Sequence, residues 1–209
     1  MLSIVKSIAL QGLNGYLIAI EVDISQGLPC FEIVGLPDIS VREAKERVKT
    51  AIRNSKVEFL SRRIVVNLAP ANIRKEGPRF DLPIAVGILI ANRNIQNLYL
   101  NEFLSETIFI GELSLDGTVE KVNGVLPICI EAKKLGIKRI VLSKKNAKEA
   151  SIVEGLEILP INNLKEMIEY LNGESYIEKI ENKKFDSKNQ AMYGFDFSEV
   201  KGQENVKRA

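Results

Sequence analysis

Apolar and polar residues alternate along the first 25 residues of the chain. The two alternating stretches, 2–10 and 15–25, are separated by a turn-forming segment, QGLNG. A period of two is typical of strands with one buried face, so the sequence predicts a hairpin. The segment 29–35, PCFEIVG, predicts a third strand, which the following GLPD interrupts.

From residue 41 the apolar spacing changes to steps of three and four. The apolar positions of this stretch are Val41, Ala44, Val48, Ala51 and Ile52. This spacing places them on one face of a helix. Ser40 and Glu43 have the form of a capping box, which predicts that the helix starts there.

The later chain predicts alternating strands and helices. Strands are expected at 63–68, 107–115 (with a bend at Gly111), 138–142 and 156–161, and helices at 82–91, 126–135 (with Gly136 as its C-cap), 146–152 and 164–171. Hairpin strands followed by this alternation predict one mixed α/β (α+β) domain over 1–173. Residues 174–193 are crowded with charges and predict a linker. A patterned segment then resumes at 194–209, and we interpret the chain as part of a longer protein.

Composition indicates a soluble globular protein with no membrane partner. Apolar residues make up 45% of the 209 positions and charged residues 27%. No stretch approaches the roughly 18 apolar residues that a membrane helix needs. The apolar start of the chain is too short for a signal peptide, so we expect a cytoplasmic protein.

The chain contains no histidine and two cysteines. The absence of histidine excludes Ser-His and Cys-His nucleophiles and the common zinc sites, so no metal site is predicted. We expect Cys30 and Cys129, which lie in apolar surroundings, to be buried reduced thiols.

Positive charge is concentrated between residues 41 and 80. This segment holds eleven Lys or Arg against four Glu, or +7, while the whole chain is only +2 and the remainder therefore −5. Two interpretations stay open. The block is either a nucleic-acid footprint or a solvated helix face with long cationic side chains.

The segment RKEGPRFDLPIA, 74–85, predicts a loop that leads into a helix. Arg74, Lys75 and Arg79 beside a helix N-terminus would suit a phosphate. However, the chain contains no Gly-Lys pair and so no Walker-type nucleotide loop. Gly77 and Pro78 form the turn. We expect Asp81 to cap the helix, with an ion pair to Arg79 or Arg74 as a further structural role.

Four segments carry a resemblance to a known family. GLPD (35–38), REAKERVKTAIRNS (42–55), VVNLAPANIRKEGPRFDLPIAVGIL (65–89) and GELSLDGTVEKVNGVLPICIEAKKLGIKRIVL (111–142) resemble the N-terminal domain of the ComM/YifB family, the magnesium-chelatase-like AAA+ proteins of bacteria. The final DFSEVKGQENVKRA resembles the opening of the AAA+ module of that family. The resemblance implies a ribosomal-protein-S5-domain-2-like fold similar to the Lon protease domain.

In Lon, a serine follows Gly-Pro in a K-x-G-P-S-A-G loop and a lysine on a later helix activates it. Here Lys75 and Pro78 match that loop, but Arg79 stands at the serine position and Ile128 at the lysine position. A serine–lysine dyad needs both groups within hydrogen-bond reach. The resemblance therefore implies no catalytic residue in this chain.

Three functions follow from the resemblance. The first is a non-catalytic domain of a hexameric AAA+ ATPase that works on DNA as a helicase or branch-migration motor in natural transformation. ATP and Mg²⁺ would then bind to the missing AAA+ module, and this chain itself would hold no cofactor. Its DNA-binding candidates are Arg42, Lys45, Lys49, Arg53, Arg74, Lys75 and Arg79. The alternatives are a degenerate or atypical protease-like hydrolase and a magnesium chelatase subunit.

Overall fold

The computed structural model describes residues 2–59 and 62–180, which form nine strands and six α-helices. The strands are β1 (Leu2–Gln11), β2 (Asn14–Ser25), β3 (Cys30–Val34), β4 (Arg63–Ala69), β5 (Thr107–Phe109), β6 (Glu112–Leu113), β7 (Val119–Glu120), β8 (Arg139–Ser143) and β9 (Glu157–Ile161). The helices are α1 (Ile39–Asn54), α2 (Asp81–Ala91), α3 (Leu100–Ser105), α4 (Val125–Lys134), α5 (Ala147–Ala150) and α6 (Leu164–Leu171). Short 3₁₀ turns at Pro78–Phe80 and Lys144–Asn146 precede α2 and α5.

Seven strands form one sheet in the order β3-β4-β2-β1-β5-β8-β9. β1 pairs with β2 and β2 with β4 in antiparallel fashion, and the remaining neighbours are parallel. β6 and β7 pair separately. The predicted mixed α/β fold and the predicted N-terminal hairpin are therefore confirmed.

Helices pack on both faces of this sheet. α1 and α2 belong to the larger apolar cluster, which includes Val5, Ile20 and Val66 from the strands. Every residue of α2 is buried, which fits the apolar run 82–91, and the buried residues include the charged Asp81 at its start. α4 packs on the opposite face, where Ile8 and Ile128 belong to a second cluster. The sheet therefore separates α1 and the loop before α2 from the body of α4.

The start of α1 differs from the prediction. Asp38, and not Ser40, is the N-cap, because its Oδ1 accepts the Val41 N–H at 2.8 Å. Ser40 already lies inside the helix, and its carbonyl accepts a hydrogen bond from Arg47. The predicted capping box of Ser40 and Glu43 is therefore wrong.

Other boundaries shift for local reasons. The strand expected over 107–115 is divided into β5 and β6, with Gly111 between them as predicted. α5 is shorter than expected, and α3 was not predicted, because six residues are too few to show a period. Gly136 follows α4 with φ +72°, in the left-handed conformation that commonly ends a helix.

Residues 174–180, the start of the predicted linker, pack against the sheet. Ile177 is buried, and Ile180 forms a bridge with Ile158 of β9. The rest of the predicted linker and the segment 194–209 lie outside the described residues. Within the ranges 2–59 and 62–180, no helix is long and apolar enough to cross a membrane.

Candidate functional site

Lys75 is the central residue of the loop between β4 and α2. Its side chain has no exposed surface, and its Nζ donates to the carbonyls of Gly35, at 2.9 Å, and Pro70. Its backbone pairs with Leu36 and Asp38. Burial lowers the pKa of the Lys75 amine below its usual value. Lys75 therefore joins two loops, and it has no surface to offer to DNA.

Asp38 and two glycines complete this junction. The Asp38 carboxylate caps α1 with one oxygen and accepts the Gly77 N–H at 3.2 Å with the other. Gly77 has φ +79°, which side-chain-bearing residues rarely adopt. At Gly35 a β-carbon would lie 2.3 Å from the carbonyl oxygen of Leu68, so only glycine fits. Gly77 thus helps to shape this loop.

Asp81 begins α2, but its carboxylate does not cap that helix. One oxygen accepts the Arg47 Nε–H at 2.6 Å and the Leu113 N–H at 3.2 Å, and the other accepts from the same guanidinium at 3.1 Å. The predicted cap and the predicted pairing with Arg79 or Arg74 are both wrong. The partner comes from α1, 34 residues earlier in the chain.

The Asp81–Arg47 pair is buried on the aspartate side. Asp81 has no exposed surface, and burial raises the pKa of its carboxyl, although Arg47 and the Leu113 N–H act in the opposite direction. The hydrogen bond to Asp81 raises the pKa of Arg47. The pair holds α1 to the start of α2 and leaves neither charge available for a ligand.

Arg79, which the resemblance to Lon places at the serine position, lies in the 3₁₀ turn before α2. Its Nη1 is buried and has no hydrogen-bond partner within the described part of the chain. Burial lowers its pKa, and the nearby Glu76 raises it. A β-carbon placed on Gly124 would lie 3.9 Å from this Nη1, so Arg79 lies beside the start of α4. Ile128 in α4 is fully buried among apolar residues. Neither position supplies a nucleophile or a base.

Arg74 is the exposed cation of this loop. Its Nε lies 3.1 Å from the Glu76 carboxylate, and both side chains are more than half exposed. The loop therefore has one exposed and paired cation (Arg74), one buried cation (Lys75) and one partly buried cation (Arg79). They do not form a cationic cluster.

The other four candidates follow each other at steps of three, four and four along α1. They are Arg42, Lys45, Lys49 and Arg53. This spacing places them on one side of the helix. Arg42 and Arg53 are exposed, and Lys45 and Lys49 are half-buried. No acidic side chain of the described ranges forms an ion pair with any of the four. We call these four residues the cationic face of α1.

A groove of about 280 Å³ lies beside this face. Its lining includes three members of the face, Lys45, Lys49 and Arg53, together with Arg62. Phe31 and Phe59 supply aromatic surface, and the Arg53 guanidinium lies 5.8 Å from the centre of the Phe59 ring. Glu46 is the acidic residue of the lining.

Two sequence interpretations change at this groove. Cys30 lines it and is half-buried, so the prediction of a buried thiol is wrong for Cys30 and confirmed for Cys129. Arg62 was not among the candidate residues. The signal for it was the Arg62-Arg63 pair at the start of β4. Only the folded chain shows that Arg62 lies beside α1. No group of three or more metal-ligating side chains occurs in the portion of the chain that the structure describes.

Comparison with known proteins gives the family context of these residues. The family model for subunit ChlI of Mg-chelatase matches residues 20–146. Competence protein ComM of Haemophilus influenzae is 38% identical over 214 aligned residues, which cover 100% of this chain and 40% of that protein. The uncharacterized protein YifB of Escherichia coli is 39% identical, covering 99% of this chain and 39% of its own length. The chain thus spans about two fifths of these relatives.

A more distant match connects the chain to Lon. Lon protease 2 of Bacillus subtilis is 27% identical over 184 aligned residues, which cover 79% of this chain and 32% of that protein.

Proposed function

The chain belongs to the ComM/YifB family of magnesium-chelatase-like AAA+ proteins, and from this premise we propose that it is a non-catalytic domain of an ATPase that works on DNA. The parent protein would assemble as a homo-hexamer, and its AAA+ module would bind ATP and Mg²⁺. The Haemophilus relative is a competence protein by name, which supports a role in natural transformation. The motor would be a helicase or a branch-migration enzyme.

The cationic face of α1 is the observation that carries the proposed contact with DNA. Cations that lack acidic partners lose little when they neutralise phosphates, and binding is favoured by release of the counterions around the nucleic acid. Four such cations lie on one side of α1, with the acidic Glu46 between them. Arg62 adds a fifth cation beside this face.

The non-catalytic part of the proposal rests on Arg79 and Ile128. Peptide hydrolysis by a serine–lysine mechanism needs a hydroxyl and an amine in contact. Here a guanidinium and a buried isoleucine stand in those places. The match to Lon protease 2 therefore supports a shared scaffold, and we do not carry proteolysis over to this chain. No feature of the described residues favours magnesium insertion into a porphyrin.

Charge reversal on α1 tests the DNA contact. We expect Lys45→Glu, Lys49→Glu and Arg53→Glu together to weaken binding of the full-length protein to branched DNA by at least about tenfold at 100 mM salt. The matched control reverses three exposed lysines elsewhere, Lys133, Lys144 and Lys148, and so makes the same change in net charge. An equal loss of affinity in both variants would show a non-specific effect of net charge and contradict the proposed contact.

Ring assembly has a separate test. We expect the full-length protein with ATP and Mg²⁺ to sediment as a hexamer, and the α1 variant to do the same, because the cationic face is assigned to DNA. Loss of the hexamer in that variant would contradict this role and indicate that α1 contributes to the contact between subunits.

A further inference from the structure

The outer edge of β9 is covered by the chain itself. β9 ends the seven-stranded sheet, and an unpaired edge strand is a template for pairing with another chain. After α6 the chain turns back, and residues 174–180, which we call the strap, reach this edge. The Ile180 N–H donates to the Ile158 carbonyl at 3.4 Å in an antiparallel bridge.

The strap is held by apolar and ionic contacts. Ile177 is 2% exposed and belongs to the larger apolar cluster, while Ile180 packs against the second cluster. Lys179 Nζ lies 3.0 Å from Glu157 Oε1, and Arg139 approaches the other oxygen of that carboxylate at 3.5 Å. The polar contacts of the strap are weak, one long backbone bond and one half-exposed ion pair, so the buried Ile177 side chain is its main anchor.

Pro160, which is buried in the folded chain, removes one hydrogen-bond donor from the same edge of β9. Residues along a strand alternate the side to which their backbone groups point. The Glu157 N–H donates to Lys138 on the β8 side, whereas the Ile158 carbonyl accepts from the strap on the outer side. Pro160 therefore shares the outer side with Ile158. Proline has no N–H, so at this position the edge cannot donate to another strand.

We propose that the strap and Pro160 together guard the β9 edge against pairing with β9 of a second copy of this chain. In such a dimer each copy would contribute the same β9 edge. The two β9 strands would therefore pair in antiparallel fashion about a two-fold axis. The guard is independent of the proposed DNA contact, because it uses no residue of α1. It also fixes the chain to the sheet as far as Ile180.

Three variants of the 209-residue chain test the guard. The first releases the strap (Ile177→Ser with Lys179→Glu), the second restores the missing edge donor (Pro160→Val), and the third combines both. The control, Ile152→Ser with Lys148→Glu, makes the same chemical changes at exposed positions in α5 and just after it. Amide exchange reports on strap and edge, and sedimentation velocity reports on association.

In the unmodified chain we expect the amides of the strap to exchange at least about tenfold more slowly than unprotected amides. In the variant that releases the strap, we expect them to exchange at nearly the rate of unprotected amides. We expect the combined variant to form dimers with rising concentration, and its β9 amides to regain protection. Unchanged exchange after strap release would overturn the proposal, as would a combined variant that stays monomeric. If exchange in β1 shows that the double change unfolds the domain, Lys179→Glu alone gives the same comparison.

Discussion

Two sets of cations in this chain have similar sequence surroundings and opposite structural roles. Arg74, Lys75 and Arg79 belong to the loop before α2, where the backbone turns sharply and carbonyls need donors. Arg42, Lys45, Lys49 and Arg53 lie on α1, whose backbone groups already bond to each other within the helix. The loop cations are paired with an acid, bonded to carbonyls or partly buried, whereas the helix cations have no acidic partner among the described residues.

The difference shows that a high density of positive charge does not by itself identify a binding surface. A cation is available to a ligand only where the local backbone and the nearby acids do not need it. Arg47 illustrates this within α1. It belongs to the same helix as the cationic face, but it points to Asp81 and acts as a structural residue.

The largest expected effect therefore comes from removing Arg47. Arg47→Leu leaves the buried Asp81 carboxylate without its counter-ion, and we expect the free energy of unfolding to fall by about 3–5 kcal/mol at pH 7. Urea unfolding measures this. The control Arg42→Leu, on the exposed side of α1, should change the free energy by less than about 0.5 kcal/mol. A loss below about 1 kcal/mol for Arg47→Leu would mean that the Asp81 pair is not structural.

The loss in free energy of unfolding caused by Arg47→Leu should depend on pH. Burial raises the pKa of Asp81 above its ordinary value of 3.8, so the folded state binds the proton more tightly than the unfolded state. The contribution of Asp81 to stability is then fully present below 3.8 and is lost as pH rises through the folded pKa. Without Arg47 the ionised carboxylate destabilises the folded state more strongly. We therefore expect the difference in free energy of unfolding between the unmodified chain and Arg47→Leu to shrink as pH is lowered toward 3.8. A difference that is constant with pH would contradict the structural role of the Asp81–Arg47 pair.

Lys75→Met should have the next largest effect. Methionine keeps the apolar volume, but the carbonyls of Gly35 and Pro70 lose their donor, and we expect the free energy of unfolding to fall by about 3 kcal/mol. The control is Arg74→Met, one residue away and exposed, with an expected change below about 0.5 kcal/mol. Urea unfolding measures both changes. Equal losses for Lys75→Met and Arg74→Met would contradict the structural role of the buried lysine.

Arg79→Met has the smallest expected effect on stability. The Arg79 Nη1 is buried and has no hydrogen-bond partner among the described residues. Its removal therefore gives up no hydrogen bond to them and relieves desolvation. We expect a change between zero and a gain of about 1 kcal/mol in the free energy of unfolding. A loss greater than about 1 kcal/mol would show that the guanidinium has a stabilising partner.

The sequence predicted features that depend on near neighbours. The β1–β2 hairpin, the apolar face of α1 and the buried helix α2 all follow from spacing within one segment. The N-cap of α1 was misassigned by two residues, because Asp38 and Ser40 both suit the position and only the folded chain distinguishes them.

Contacts between distant segments were not predictable in the same way. Lys75 is 40 residues from Gly35, and Asp81 is 34 residues from Arg47. Nothing in the local pattern of RKEGPRFD tells that its lysine is buried and that its aspartate faces α1. Arg62 lines the groove with residues of α1 that lie far from it in the sequence, so its place was not predictable either.

The salt dependence of DNA binding tests the central claim most directly. The logarithm of affinity falls with the logarithm of salt concentration, with a slope of about −0.9 per phosphate neutralised on duplex DNA and about −0.7 on single strands. Alanine substitutions at Lys45, Lys49 and Arg53 in the full-length protein should make this slope less steep by about two to three units on duplex DNA. Arg74→Ala should leave it unchanged. An unchanged slope for the α1 variant, or an equal change for Arg74→Ala, would contradict the distinction between the two sets of cations.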